Sequence, residues 1–547
     1  MTTTNGSIDQ GVEDVDVVVI GAGFAGMYMA YRLRESGFRV HGYEAGSDVG
    51  GVWYWNRYPG ARCDSESLYY SYSFLEDIEQ SWPIQERYPK QPEILRYLNH
   101  VADRIEIRKH FSFNTRVVSL VFDDAANQWI VTTESGDVQR CRWVVTAIGC
   151  LSKPIEPTYV GEETFAGRLL YTSRWPHEPV DFGGQRVGVV GTGSSGIQII
   201  PVVAQDAAHL TVFQRTAQFT LPAANAVLPP DFVSMWKKNY REWRRRGRES
   251  VAGAPSPSPC VSALDVSDEQ RVAAYEASWE QGGYVFASGT FNDVLTNEAA
   301  NETAADFVRS KIDEIVRDRQ VADRLKPYGY PIATKRIPLD TNYYATFNRP
   351  NVELVDIRQT PIERIVPTGV QTTEALHELD MLIYATGFDA ITGPLLAIDI
   401  RGRDGIRLAD DWKNGPQTYM GLSIPGFPNL FTITGPGSPS VLGCVPVTIE
   451  QNVEWISDFL VWAGDRGVTR IEPSRSAAQQ WTAHVQDLAD KTLYPNTASW
   501  YTGGNIEGKP RVFLPYVGGY NGFRNKCDDI ANRDYDGFDL RSDVAAL

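Results

Sequence analysis

The sequence predicts an α/β fold: two Rossmann-like dinucleotide-binding domains, with a helical insertion in the second. Three observations predict it. Two stretches repeat the order strand, glycine turn, helix, strand, and a charged, helix-patterned region interrupts the second.

The first unit is "VDVVVIGAGFAGMYMAYRLRESGFRVHGYEA". Val15 to Ile20 is an apolar run of strand length, Gly21, Gly23 and Gly26 punctuate the turn into a helix, and Gly37 stops that helix. The first glycine permits the tight turn, the second lets backbone N–H groups approach a pyrophosphate, and the third lets helix and strand pack closely. Glu44 closes the second strand. A carboxylate there accepts ribose hydroxyls and repels a 2′-phosphate, which predicts FAD or NAD in this half.

The second unit, "QRVGVVGTGSSGIQIIPVVAQDAAHLTVFQRT", carries Gly191, Gly193 and Gly196. Its second strand ends in Arg215 and Thr216 instead of an acid. A cation and a hydroxyl suit a 2′-phosphate, hence NADP, although an arginine after a strand also reads as an ordinary surface residue. Between about Asp231 and Leu325 the chain is charged and helix-like. Trp236, Tyr240 and Trp243 share one helical face and are expected to pack inward. Lys237, Lys238, Arg241 and Arg244 to Arg246 fall around them and are expected to be solvated. "GAPSPSP" is a loop, and "SDEQ" at 267–270 is a capping-box start. The predicted division is an FAD-binding domain from 1–150 and 386–547, an NADP-binding domain from 151–222 and 332–385, and a helical insertion at 223–331.

Composition narrows the function class. A net charge of −16 disfavours nucleic-acid partners, and no apolar run approaches the ~20 residues of a membrane helix. "MTTTNGSIDQGVED" lacks signal-peptide architecture and reads as a floppy tail. Six scattered cysteines without a CxxC point to reduced thiols in a cytoplasm and away from disulfide reductases. Seven histidines form no metal-ligand pattern, so no metal is expected. A chain with one FAD-type and one NADP-type site is then a flavin reductase or a flavin monooxygenase.

"GGVWYWNRYPGARCD" separates these. Paired glycines allow backbone approach to a flat ring, and Trp53 and Trp55 offer walls; Asp64 alone also reads as a turn carboxylate. The stretch resembles the flavin-site motif GG-x-W-x4-Y-P-G-x3-D of type I Baeyer–Villiger monooxygenases, at Gly50, Gly51, Trp53, Tyr58, Pro59, Gly60 and Asp64. "GPGSPS" (435–440) and "TASWYTG" (497–503) resemble the phenylacetone and steroid monooxygenase branch, and 289–312 resembles the cyclohexanone monooxygenases. "YATGFDA" (384–390) resembles the element returning the chain to the FAD domain, so the likeness spans about Val15 to Phe538.

The resemblance implies tightly bound FAD, NADPH as reductant and O2 as co-substrate. It implies a C4a-peroxyflavin that attacks a ketone, then a tetrahedral adduct that rearranges to an ester or lactone. Arg336 in "ATKRIPLD" matches the catalytic arginine and Asp64 the carboxylate that holds it; without the resemblance, Lys335-Arg336 reads as a solvated pair. The implied FAD contacts are Gly21, Gly23, Phe24, Ala25, Gly26, Glu44, Gly51, Val52, Trp53, Trp55, Asp64, Tyr70, Val117 and Val445. The implied NADP contacts are Tyr58, Gly191, Thr192, Gly193, Ser194, Ser195, Gly196, Gln198, Arg215, Thr216, Lys335, Arg336 and Trp500. Cys150, Ser440, Val441 and Leu442 are expected to line the ketone pocket. A small-molecule ketone, no nucleic acid, no membrane, and a monomer or weak homo-oligomer complete the expectation. The alternatives are a flavin monooxygenase oxygenating nitrogen or sulfur, an uncoupled NADPH oxidase, and a flavin redox sensor.

"FAGRLLYTSRWP" (165–176) matches the family fingerprint F-x-G-x3-H-x3-W-P at Phe165, Gly167, Trp175 and Pro176, where the resemblance implies a linker between the two domains. It departs at Tyr171, which stands in the place of His. A tyrosine packs as a ring and donates a hydrogen bond but carries no proton near neutral pH. If the position is a packed hinge, Tyr171→His preserves or raises ester formation in steady-state assays; loss of most activity contradicts the hinge.

Overall fold

The computed structural model describes residues 15–542; the N-terminal stretch read as a tail lies outside them. Two all-parallel five-stranded sheets organise the chain. The first runs, in spatial order, Leu430–Thr432, Trp143–Thr146, Val17–Ile20, Val40–Tyr43 and Phe111–Ser112. Val17–Ile20 is buried along its whole length, as a central parallel strand covered on both faces must be. The helices Phe24–Glu35 and Val445–Asp465 share a core with one face. A four-stranded sheet of Asp399–Arg401, Val117–Asp123, Gln128–Thr133 and Val138–Cys141 shares a core with the other.

The second sheet runs Val352–Asp356, His209–Gln214, Arg186–Val190, Met381–Tyr384 and Arg168–Tyr171. Its outermost strand lies inside "FAGRLLYTSRWP", which is therefore more than a linker: Arg168–Tyr171 pairs in register with Met381–Tyr384. Tyr171 is braced on three sides. Its hydroxyl donates to Glu162 at 3.3 Å, the Arg174 guanidinium lies 4.1 Å over its ring, and the Tyr384 ring is 5.2 Å away. Trp175 is buried in the core of the second sheet.

Both nucleotide turns close by the same steric device. A Cβ at Gly26 would lie 1.7 Å from the Gly21 carbonyl, and one at Gly196 would lie 2.2 Å from the Gly191 carbonyl. Gly60 joins the two halves. It has φ +87°, and a Cβ there would meet the Gln198 carbonyl at 2.3 Å. The Tyr-Pro-Gly turn of the first unit thus rests on the helix Ser194–Asp206 of the second.

The insertion is helical, with Pro230–Lys238, Tyr240–Glu249, Asp268–Gln281, Val285–Gly289, Glu298–Ile315 and Arg319–Leu325. Ser267 and Gln270 form the expected capping box. The basic stretch differs from expectation in two respects. It is two helices meeting at Asn239, and Arg244 is buried instead of solvated. Arg244 lies four and eight residues beyond Tyr240 and Trp236, so a helical period carries it onto the inward face. Burial there is tolerated because its Nε donates to Glu79 at 2.5 Å and its NH2 to Ser71 at 2.7 Å. Arg241, Arg245 and Arg246 stay on the surface, paired with glutamates.

Candidate active site

The residues of "GGVWYWNRYPGARCD" divide between the two units. Gly51 faces the first glycine turn: a Cβ at Gly23 would lie 3.3 Å from its Cα. Val52 to Trp55 form one helical turn. Trp53 is buried and donates its indole N–H to Tyr70 at 3.1 Å, with the two rings edge to face. Trp55 lies edge-on to Tyr54, whose ring also meets His177. Tyr58 belongs to the core of the second unit and donates to Gln198 Oε1 at 2.7 Å; the Ser195 hydroxyl also meets it. Gln198 in turn donates to the Arg62 carbonyl at 2.9 Å.

Both nucleotide turns fit a pyrophosphate. The helices Phe24–Glu35 and Ser194–Asp206 begin at glycines, with no side-chain cap and no acid in the first turn, so their leading N–H groups remain for an anion. A Cβ at Gly193 would meet nothing within 4 Å, so a ligand has free approach beside Ser194. Thr192 donates to the Thr216 carbonyl at 2.9 Å and ties the turn to the second strand. Phe24 and Ala25 are buried under the first turn.

The second strands of the two units lead into residues of opposite charge, Glu44 in the first and Arg215 in the second. Glu44 is buried; its oxygens accept from the Ala22 N–H at 2.7 Å and the Gly46 N–H at 2.6 Å. Each oxygen retains accepting capacity for a ribose hydroxyl. Val117 follows this loop but puts its side chain into the core with Val18 and Ile20. At the other end, Arg215 and Lys335 have no carboxylate partner among the described residues. Burial lowers the Lys335 pKa, and Arg215 and Arg358 lower it further. Arg358 escaped the sequence reading. It sits in the turn after the strand Val352–Asp356, as Thr216 follows the paired strand His209–Gln214. Both line a cavity of about 250 Å³.

Arg336 and Asp64, 272 residues apart, meet at the centre. Arg336 Nε donates to Asp64 Oδ2 at 3.0 Å and its NH2 to Oδ1 at 2.6 Å. A third donation, from NH1, goes to the Val441 carbonyl at 2.8 Å. A guanidinium has five N–H groups, so two remain. The Tyr501 hydroxyl lies against this arginine, and Tyr284 donates to Asp64 Oδ2 at 2.8 Å; neither tyrosine was legible in the sequence. Burial works to raise the Asp64 carboxyl, but Arg336 and the Tyr284 hydroxyl outweigh it and hold it below its ordinary value. Asp64 likewise holds Arg336 protonated, well above its ordinary value against the pull of burial. The site therefore keeps a fixed cation beside a fixed anion.

The loop at 435–444 closes one side. Ser440 to Leu442 form a single 3-10 turn, and Ser440 takes a left-handed φ of +46°. Its hydroxyl is buried, and its neighbour is the Cys150 thiol. Burial pushes that thiol up to about 11, so Cys150 is a neutral wall. Val445 starts the helix that follows. Trp500 packs near Cys150 and stands 4.4 Å from the Tyr501 ring. Its segment is tied down by the Lys509–Asp389 ion pair and by the Asn505 donation to the Phe388 carbonyl at 2.9 Å.

Residues 14–236 match the family model described as flavin-binding monooxygenase-like. The chain is 42% identical over 528 residues to an acetone monooxygenase (methyl acetate-forming) of Gordonia sp. (strain TY-5), covering 96% of this chain and 99% of that protein. A Baeyer–Villiger monooxygenase of Pseudooceanicola batsensis is 40% identical over 525 residues, 95% of each chain. The chain belongs to the flavin-dependent Baeyer–Villiger monooxygenases. Its likeness also extends to a phenazine N-monooxygenase of Lysobacter antibioticus, 40% identical over 543 residues and 99% of each chain. Among solved structures, oxidized steroid monooxygenase bound to NADP is 47% identical with a TM-score of 0.92, over 96% of this chain and 99% of that one. OTEMO in complex with FAD and NADP is 40% identical with a TM-score of 0.93, over the same shares. This Baeyer–Villiger monooxygenase uses FAD and NADPH. No described helix is long and apolar enough to cross a membrane.

For this Baeyer–Villiger monooxygenase, Lys335→Ala and Arg358→Ala are each expected to weaken NADP+ binding about tenfold in equilibrium titrations, and NAD+ binding less than about twofold. Equal weakening of both nucleotides would place these cations away from the 2′-phosphate.

Proposed function

We propose that Arg336 is the catalytic residue of a ketone-oxidising site and that Asp64 sets its aim. The observation that carries this is the bidentate Asp64–Arg336 pair, clamped to the Val441 carbonyl, with two guanidinium N–H groups left over. When bound, the NADPH-reduced flavin supplies activated dioxygen for transfer of one oxygen atom. The remaining N–H groups of Arg336 donate to the ketone oxygen as it gains negative charge, in a geometry that needs no reorganisation. A point charge without a partner would swing towards water; Asp64 holds it inside.

The other side chains bind, orient and exclude. Glu44 takes the ribose of FAD; Arg215, Thr216, Lys335 and Arg358 take the 2′-phosphate of NADP. Cys150, Ser440, Val441 and Leu442 form the ketone-side wall. Trp500 and Tyr501 cover the centre, and the water they exclude would otherwise strip the activated oxygen away as hydrogen peroxide. In this reading the chain divides into an FAD-binding domain, an NADP-binding domain and a helical insertion, and the Tyr58–Gln198 contact supports a joint between the cofactor halves. Six free cysteines, four of them buried, support a reducing cytoplasm.

Likeness to a nitrogen-oxygenating relative sets the competing outcome. Purified enzyme with NADPH and O2 is expected to convert members of a ketone library to esters or lactones, identified by mass. Arg336→Ala is expected to lower ester formation at least about 100-fold, in line with loss of an oxyanion donor, while NADPH oxidation persists and yields hydrogen peroxide. Product from N-heteroarenes but from no ketone would overturn the ketone reading, and near-parental ester formation in Arg336→Ala would overturn the residue's role.

A further inference from the structure

The helical insertion reaches the centre of the site through one side chain. Tyr284 lies in the turn between the helices Asp268–Gln281 and Val285–Gly289. That turn is pinned to both cofactor halves. The Gln281 carbonyl accepts from Arg87 at 2.8 Å, and the Gly283 N–H donates to the Pro222 carbonyl at 2.8 Å. Leu221–Pro222 pairs in register with Leu339–Asp340, three residues beyond Arg336. Gly283 has φ +71°, and a Cβ there would meet the Tyr88 hydroxyl at 2.3 Å, so glycine suits this close approach.

From that anchor the Tyr284 hydroxyl stands 2.8 Å from Asp64 Oδ2 and 3.0 Å from the Ile337 carbonyl. It has one proton to give, and a charged acceptor wins it. Its ring faces the Arg336 guanidinium at 5.1 Å, within cation–π range. Arg336 is thus held by a carboxylate on one edge, a carbonyl on the other and an aromatic ring, and the ring's hydroxyl holds the carboxylate. Burial keeps the phenol protonated despite the pull of Arg336, so it acts as a donor.

We propose that Tyr284 is a positioning residue for oxygen transfer: its hydroxyl fixes Asp64, its ring braces Arg336, and together they aim the two remaining guanidinium N–H groups. This rests on the reading of Arg336 given above. Acting through another residue, Tyr284 is expected to govern how much oxygen reaches the ketone and to leave the binding of ketone and cofactor alone.

The test compares Tyr284→Phe, Tyr284→Leu and Arg336→Ala as FAD-loaded enzymes. It measures kcat and KM for ester formation, hydrogen peroxide per NADPH, the NADP+ dissociation constant from changes in the flavin spectrum, and the thermal midpoint. Tyr284→Phe is expected to lower kcat for ester about tenfold and raise the peroxide share, with ketone KM and NADP+ affinity within about twofold of the parent. Tyr284→Leu, which also loses the ring, is expected to fall further, so that Phe rescues part of the loss. Parental kcat and coupling in Tyr284→Phe overturn the proposal. So does a loss of ester matched by an equal loss of NADP+ affinity or by a lowered thermal midpoint. If Arg336→Ala itself makes ester at the parental rate, the underlying reading of Arg336 fails, whatever Tyr284→Phe shows.

Discussion

A carboxylate on a turn of the FAD half and a guanidinium on a loop beyond the helical insertion meet through two parallel hydrogen bonds, and the site is arranged around that contact. Asp64 ends the motif that lines the first glycine turn with Gly51 and the second unit with Tyr58. Arg336 lies between Lys335, at the cationic end of the second unit, and the short strand Leu339–Asp340. Its third bond reaches the loop that carries Ser440 and Leu442. The ion pair thus adds to the Gly60 and Tyr58–Gln198 contacts between the two halves and ties them to the loop at 435–444. The pair is partly buried, with 23% of each side chain exposed, so removing one partner leaves the survivor partly desolvated without its counter-charge. Such a contact specifies geometry more than it adds stability.

Electrostatics divide the nucleotide sites in the same way. Glu44 offers a buried acceptor where a ribose needs one and would repel a phosphate. The opposite end collects Arg215, Lys335 and Arg358, and Lys335 is destabilised as a cation by its two neighbours. Arg358 has Asp356 beside it at 3.6 Å, whereas Arg215 and Lys335 have no carboxylate partner among the described residues, which supports the proposed 2′-phosphate there.

Local physics made part of this legible in the sequence. The glycine turns and the capping box at Ser267 are each written in a few consecutive residues, and each forms as the spacing requires. The pairing of Asp64 with Arg336 came from resemblance, since 272 residues separate them and neither stretch alone signals the other. Tyr284, Tyr501 and Arg358 were missed for that reason: each reaches the site only through tertiary contacts. Arg244 shows position outweighing charge. Its helical period put it on the buried face, and Glu79, from a distant helix, made that possible. The strand Arg168–Tyr171 was read as linker because the strand that pairs with it comes over 200 residues later and shows only in the fold.

The claim on which the account depends is that Asp64 works through Arg336 and by no separate route. A double-mutant cycle tests this directly, with Asp64→Ala, Arg336→Ala and the double variant compared for ester formed per NADPH consumed. The account predicts strong non-additivity: the double variant is no worse than Arg336→Ala alone, because Asp64 has nothing left to position. Losses that multiply, so that removing Asp64 costs as much without Arg336 as with it, would contradict the account.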